Sequence, residues 1–253
     1  MTDLQKAPVW KRIAAWLFDF IITVILTLGI SFVASAVFGY DQYSATVSEA
    51  YEKYETQYGV RFDISAEEYA SLSPEQKEDY DLAYQALLSD TEAISAYNMS
   101  VSLSLLITTA SILFAVLIWE FAIPLLLGNG QTLGKKFFSL CLMKTNGVKI
   151  NPLMLFARTM LGKFTLEIMI PVYVLLMLFW NKLSLVGLII LAALCITQIC
   201  TLIFTRTNSA IHDLLAATAV VDAQSQKIFE SDEALIEYKK QCHAQSASEK
   251  PYL

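Results

Sequence analysis

Apolar residues run almost unbroken through four stretches of the chain, 13–38, 101–127, 164–180 and 183–204. A helix needs about 20 such residues to cross the hydrocarbon core of a bilayer, within a window of roughly 17 to 25. All four stretches reach it, so the pattern predicts an all-α membrane protein with four transmembrane helices. Trp10 and Trp16 suit the interfacial aromatic belt of the first span. Between the first two spans, residues 40–99 read as a helical insertion. Ser65 with Glu68 forms one capping box, and Ser73 with Gln76, Pro74 between them, forms a second. Leu82, Ala83, Ala86 and Leu87 give the following helix an apolar stripe.

The segment 128–163 is the least span-like. Gly128 to Gly130 breaks the second helix, and Asn146-Gly147 is a strong hairpin signal between 137–144 and Val148-Lys149-Ile150. A small β-hairpin is expected, with 218–221 as a possible third strand, and an amphipathic helix over 151–163 lying along the interface. The domain reading is a four-helix membrane domain over 1–221 and a polar tail over 222–253, helical over 231–241.

Charge adds an orientation. Residues 40–98 hold 13 acidic and three basic residues in a chain whose net charge is only −6. Lysine and arginine concentrate instead near the N-terminus (Lys6, Lys11, Arg12) and in 128–163. Because basic loops stay inside, both termini and 128–163 are expected in the cytoplasm, with 40–99 and the tight turn at Asn181–Lys182 outside. Ala34-Ser35-Ala36 resembles a signal-peptidase site, but the first apolar run is too long and contains Asp19, so it reads as a retained span. The four cysteines give no disulfide framework in the exterior segment and no metal-site spacing. Nine of the 12 tyrosines fall in 40–98, which fits either a cap for an unknown ligand or protein or a lid that packs its tyrosines on itself.

Ionisable groups inside a span cost at least about 2.5 kcal/mol at the helix centre, so each needs a reason. The candidates are Arg12, Asp19, Glu120, Lys163, Glu167 and Arg206, with Arg158 and Asp213 just outside. Arg12 and Asp19 share a helix face about 10 Å apart, too far for a direct ion pair, so each needs a partner on another helix. Four positive groups (Arg12, Arg158, Lys163, Arg206) and four negative ones (Asp19, Glu120, Glu167, Asp213) gather near one level, which predicts a linked ionic layer at the inner mouth of the bundle. Asp213 is expected to partner Arg12 or Arg158, and His212 to lie at the interface. The outer half holds only small polar residues, among them Thr23, Thr27, Thr197, Thr201 and Thr205. They suit close helix packing or a polar permeation path.

These residues together resemble the RDD family of bacterial membrane proteins, named for one arginine and two aspartates. Arg12 and Asp19 in WKRIAAWLFDF are similar to the first two, and Asp213 in NSAIHDLLAATAVV to the third. Between them, Gly130, Gln131, Thr132, Leu133, Gly134 and Lys135 resemble the cytoplasmic signature of the family, with His212 beside the second aspartate and Arg158 at its basic position before the next span. The resemblance covers about residues 9–221. Ala217 departs from it, because the family usually has glycine after HDLLA, and 40–99 is longer than the family core needs. What the resemblance implies is a multi-pass bacterial cell-membrane protein involved in transport, with sodium–proton exchange among the activities linked to members.

Two functions compete. The first is transport of an ion or small solute, with Asp19 as the cation or proton site poised by Arg12, and Glu120 and Asp213 as relay or gate. Four spans make a thin pathway, so a homo-oligomer is then expected. The second is a non-transporting sensor, assembly factor or partner subunit whose ionic layer only fixes helix register. An enzyme is disfavoured, because there is no HExxH, no Gly-x-Ser-x-Gly, no phosphate loop and only two histidines, His212 and His243. No cofactor or metal is expected. Net charge and location argue against nucleic acid, leaving the lipid bilayer as the certain partner.

Overall fold

The structure is a computed structural model that describes residues 6–179 and 185–248. In chain order it consists of α1 (Val9–Phe38), α2 (Tyr40–Tyr58), α3 (Ala66–Ser71), α4 (Pro74–Ser89) and α5 (Thr91–Val116). A π-helical stretch, π1 (Leu117–Ala122), leads into α6 (Ile123–Leu127) and α7 (Leu133–Phe137), then strand β1 (Leu140–Lys144). Next come α8 (Pro152–Ala157), a second π-helical stretch π2 (Arg158–Met169), and α9 (Ile170–Phe179). The chain ends with α10 (Leu185–Phe204), α11 (Ile211–Leu215), strand β2 (Thr218–Asp222) and α12 (Asp232–Ser248).

Among the described residues, four helices are long and apolar enough to cross a membrane: Val9–Phe38, Thr91–Leu127, Pro152–Leu178 and Leu185–Phe204. Two differ from the expected spans. The second is 37 residues long, or about 55 Å at the α-helical rise, well beyond one hydrocarbon core of about 30 Å. The third starts at Pro152, because the expected interfacial helix and the expected span are one continuous helix through π2. Asn151 caps it, its side chain accepting from the Met154 N–H at 2.7 Å. The turn expected at Asn181–Lys182 lies outside the described residues.

The chain divides into two compact units. The first comprises 1–27 and 112–253. Its core joins Ala15 of α1, Leu140 and Leu142 of β1, Leu155 of α8 and Val220 of β2. Here the strand pairing differs from the expected hairpin. β1 runs antiparallel to β2, with Leu142 opposite Val220, and the two make up the sheet among the described residues. Asn146-Gly147 does turn the chain, with Gly147 at φ +94°, but Val148 to Ile150 adds only isolated bridges among the described residues, Lys149 to Met143 and Val148 to Phe229. Pro152 follows too closely for a full strand to form. The tail is not merely polar: Phe229 and Leu235 bury against Val148, and α12 continues well past the expected 231–241.

The second unit is 28–111. Both predicted capping boxes form, at Ser65/Glu68 and Ser73/Gln76. The α4 stripe faces a core of Ala50, Tyr54, Leu87 and Ala93; Ala83 is buried as well, while Leu82 is exposed. Phe62 collects Tyr51, Tyr80 and Tyr84 edge-on at 5.4, 5.7 and 6.4 Å. Tyr80 and Tyr84 also stack at 6.5 Å, so these tyrosines pack on Phe62 and in part on one another. Asp90 starts α5 by accepting from the Glu92 and Ala93 N–H groups at 3.1 Å, and Tyr54 donates to its other oxygen at 3.0 Å.

Candidate functional site: three buried carboxylate clusters

The expected ionic layer resolves into separate clusters, all in the first unit. The densest is built on Asp213, fully buried at the start of α11. Arg158, 1% exposed, donates to Asp213 Oδ1 from Nε and places Nη2 on the same oxygen, both at 2.9 Å. Thr218 of β2 donates to it at 3.2 Å. Arg12 reaches Asp213 Oδ2 at 3.4 Å and donates to the Asn208 carbonyl at 2.5 Å. Burial alone would raise the Asp213 carboxyl, but Arg158, His212 and Arg12 outweigh it and hold the group well below the usual carboxylate range. One aspartate thus ties α1, π2, α11 and β2 together.

The second cluster is Glu120 on π1. Lys163 of π2 pairs with its Oε1, and Lys135 of α7 with its Oε2 at 3.5 Å. Burial pulls the Lys135 ammonium down to about 8, against the opposing pull of Glu120. The Glu120 backbone is also satisfied in an unusual way. Pro124 has no N–H to return to the carbonyl four residues back, and the Thr159 hydroxyl donates to that carbonyl at 3.0 Å.

The third cluster is Asp19, 3% exposed on α1. Its Oδ1 accepts from the Trp119 indole N–H and the Gly134 backbone N–H, both at 3.0 Å, and its Oδ2 from the Thr132 hydroxyl at 2.5 Å. No cation pairs with it among the described residues. Lys135 feels its charge, but the ammonium is committed to Glu120. Asp19 therefore meets neither Arg12 nor Arg158, contrary to the expectation of one shared layer.

The glycine-rich segment makes this arrangement possible. Gly130 adopts φ +61°, and a Cβ there would sit 2.8 Å from Leu142. Gln131 donates to the Leu140 carbonyl at 2.7 Å. Thr132 caps α7 by accepting from the Lys135 N–H while giving its proton to Asp19. Leu133 is exposed. Gly134 has no Cβ because one would lie 2.6 Å from the Ala15 carbonyl oxygen and 2.8 Å from the Asp19 carboxylate. Leu133 apart, these residues thus contact α1 or β1 or shape the loop that does.

A fourth pair lies beside Asp213. His212, expected at the interface, is buried. Its Nδ1 is 2.7 Å from both oxygens of Glu167. Gly162 of π2 leaves room for it, since a Cβ there would run into the His212 Cα and Cβ.

The π-helical turn explains why Arg158, Lys163 and Glu167 serve one region. Under α-helical periodicity Lys163 and Glu167 would point roughly 140° and 180° away from Arg158. Bonding from i to i+5 widens the turn, so residues five and nine apart return toward the same side. Each π stretch also precedes a proline four residues after a glutamate, in Glu120-Phe121-Ala122-Ile123-Pro124, where the glutamate is buried, and Glu167-Ile168-Met169-Ile170-Pro171, where it is partly buried. That pairing is a signal the span-by-span reading missed. Trp119 and the role of Lys135 as counter-ion were missed as well; a buried indole N–H needs an acceptor, which pointed toward a carboxylate. Arg206 does not join the clusters. It follows the end of α10, exposed, with no carboxylate partner among the described residues. The hydroxyls of Thr23, Thr27, Thr197, Thr201 and Thr205 donate to carbonyls of their own helices. They do not bridge to neighbouring helices.

The family model described as "RDD family" matches residues 6–217, which contain every charged residue of these clusters. The chain belongs to the RDD family. RDD proteins are membrane proteins, and with four apolar helices this one is a multi-pass membrane protein. No curated protein and no solved structure matches it. The arginine and the two aspartates that carry the RDD resemblance do not form one triad: Arg12 and Asp213 pair, and Asp19 stands apart on neutral donors. Ala217, where the family usually has glycine, holds φ +49° in the turn between α11 and β2. This is backbone that glycine adopts freely and alanine only at a cost.

Proposed function

We propose that this RDD protein exchanges a small cation for a proton across the cell membrane, with both termini and 128–163 in the cytoplasm, and that Asp19 is the carboxylate that takes the cation. One observation carries the reading. Asp19 is buried and accepts three hydrogen bonds, all from uncharged donors, while Glu120 and Asp213 each hold two cationic partners. A buried carboxylate without a counter-ion carries a desolvation cost that a metal cation or a proton removes on arrival. Carboxylates already paired gain far less from one. In this reading Asp213 and Glu120 are fixed struts, and Asp19 is the exchangeable group. Four spans make a thin path, so the working form is expected to be a homo-oligomer.

A second reading makes the chain a non-transporting sensor, assembly factor or partner subunit. It is favoured by the way Asp19 binds the α7 backbone, which welds the glycine-rich segment to α1. The two separate in liposomes holding purified protein and a pH dye. A sodium or potassium gradient is expected to drive a pH change in wild-type liposomes, and Asp19→Asn to abolish it while the circular dichroism spectrum is retained. Absence of any ion-driven signal in wild-type liposomes supports the second reading.

A further inference from the structure

Glu167 and His212 take no part in holding the cation in the reading above, yet they form the shortest contact between π2 and α11. Carboxylate oxygens only accept hydrogen bonds. With the Glu167 oxygens 2.7 Å from Nδ1, that nitrogen must carry the imidazole hydrogen. In the neutral ring Nε2 is then a bare lone pair. What it faces is Asp213 Oδ2, 3.7 Å away, another acceptor. No donor reaches Nε2 among the described residues. The imidazole thus lies between two carboxylates with one nitrogen supplied with hydrogen and the other without.

We propose that His212 Nε2 is a proton-binding site of the RDD core, closed on one side by Glu167 and on the other by Asp213. Loading is a simple protonation. The Nε2 lone pair takes a proton from water or hydronium, one N–H bond forms, and the imidazolium charge is shared between the two carboxylates. The donor's O–H bond breaks in the same step, leaving hydroxide or water, and no other covalent bond changes. The assignment deepens the exchange reading, on which its use in transport rests, by giving the proton to a different group from the cation.

The surroundings decide how readily the site loads. From π2, Glu167 favours the proton and Arg158 opposes it, while Lys163 acts on Glu167. On α11 Asp213 favours it, and from α1 Arg12 partly neutralises Asp213. β2 supplies only the Thr218 hydroxyl nearby, its Asp222 being engaged by Lys11. α10 contributes the uncharged Gln198, which accepts from the Ile211 N–H at 3.1 Å. Burial and Arg158 lower the imidazole below its ordinary value against Asp213 and Glu167, so the site is empty near neutral pH and fills as pH falls. Filling also brings a new N–H toward Asp213 Oδ2, the oxygen that Arg12 holds at 3.4 Å. Competition there reaches α1, on which Asp19 lies about 10 Å further along.

His243→Gln leaves His212 as the single histidine, so full-length protein in nanodiscs gives one imidazole in 15N NMR. At alkaline pH the spectrum is expected to show the Nδ1–H tautomer, and on acidification both nitrogens protonate. Glu167→Gln in that background is expected to weaken proton affinity at least tenfold, a midpoint shift of about one pH unit or more. A neutral Nε2–H tautomer overturns the proposal, and that result needs no variant of the site itself. So does a midpoint that Glu167→Gln leaves in place. Titration without ion flux keeps the proton site and removes the exchange reading, whereas flux without titration removes the proton site alone.

Discussion

Asp213 and Asp19 are the two aspartates of the RDD pattern, and both are buried, at 0% and 3% exposure. Asp213 receives two arginines and a threonine hydroxyl. Asp19 receives a hydroxyl, an indole N–H and a backbone N–H. A low-dielectric site tolerates a charge when an opposite charge or several hydrogen bonds meet it. The first solution cancels the charge in place. The second meets it with neutral donors alone. In the proposed reading the same residue type is a strut in one place and an available ligand in the other.

The largest effect is expected on the strut. Arg158→Ala leaves Asp213 buried with Arg12 as its one remaining arginine, and loss of one partner of a buried pair costs about 3–5 kcal/mol. Thermal unfolding in detergent is the check, and a loss under about 1 kcal/mol would show that Asp213 is not held as described.

The Asp19 site responds instead to shape. Gly134→Ala forces a methyl against the Ala15 carbonyl and the Asp19 carboxylate, and overpacking of this kind costs about 1–3 kcal/mol. Gly29 on the same helix α1 has open space around its missing Cβ, so Gly29→Ala is the control, neutral or stabilising by up to about 1 kcal/mol. Equal destabilisation by both would remove the argument for close approach at Gly134.

A smaller effect, of opposite sign, is expected next to Asp213. Ala217→Gly relieves a left-handed alanine, φ +49°, and is expected to stabilise by about 0.5–1 kcal/mol. A lower melting temperature would contradict it.

The two sites also differ in how far the sequence foretold them. Charges within or beside the apolar runs single out Arg12, Asp19, Glu120, Arg158, Glu167 and Asp213, because a charge at a span has few innocent explanations. A partnership of Asp213 with Arg12 or Arg158 was legible from sign and position, and the structure gives it both. The partners of Asp19 were not legible. They are neutral groups, two of them from a glycine-rich loop whose path depends on Gly130 and Gly134 lacking side chains, and no count of charges finds such donors. Reading the third span with α-helical periodicity hid a further relation, since Arg158, Lys163 and Glu167 converge only through π-helical winding. The prolines four residues after Glu120 and Glu167 were the visible trace of it. Arg206 shows the opposite error: proximity in sequence to a span end suggested a place in the layer, and the turn after α10 carries it to the surface. The sheet was half legible, its second strand being recognised as β-prone but ranked behind a hairpin arm that Pro152 cuts short.

The central claim is that Asp19, and not the paired carboxylates, takes the cation. The direct measurement is the sodium- or potassium-driven pH change of liposomes carrying wild-type or Asp19→Asn protein, each shown to be folded by its circular dichroism. The account predicts a signal that the single exchange of carboxylate for amide removes. A signal of undiminished size in Asp19→Asn would contradict it.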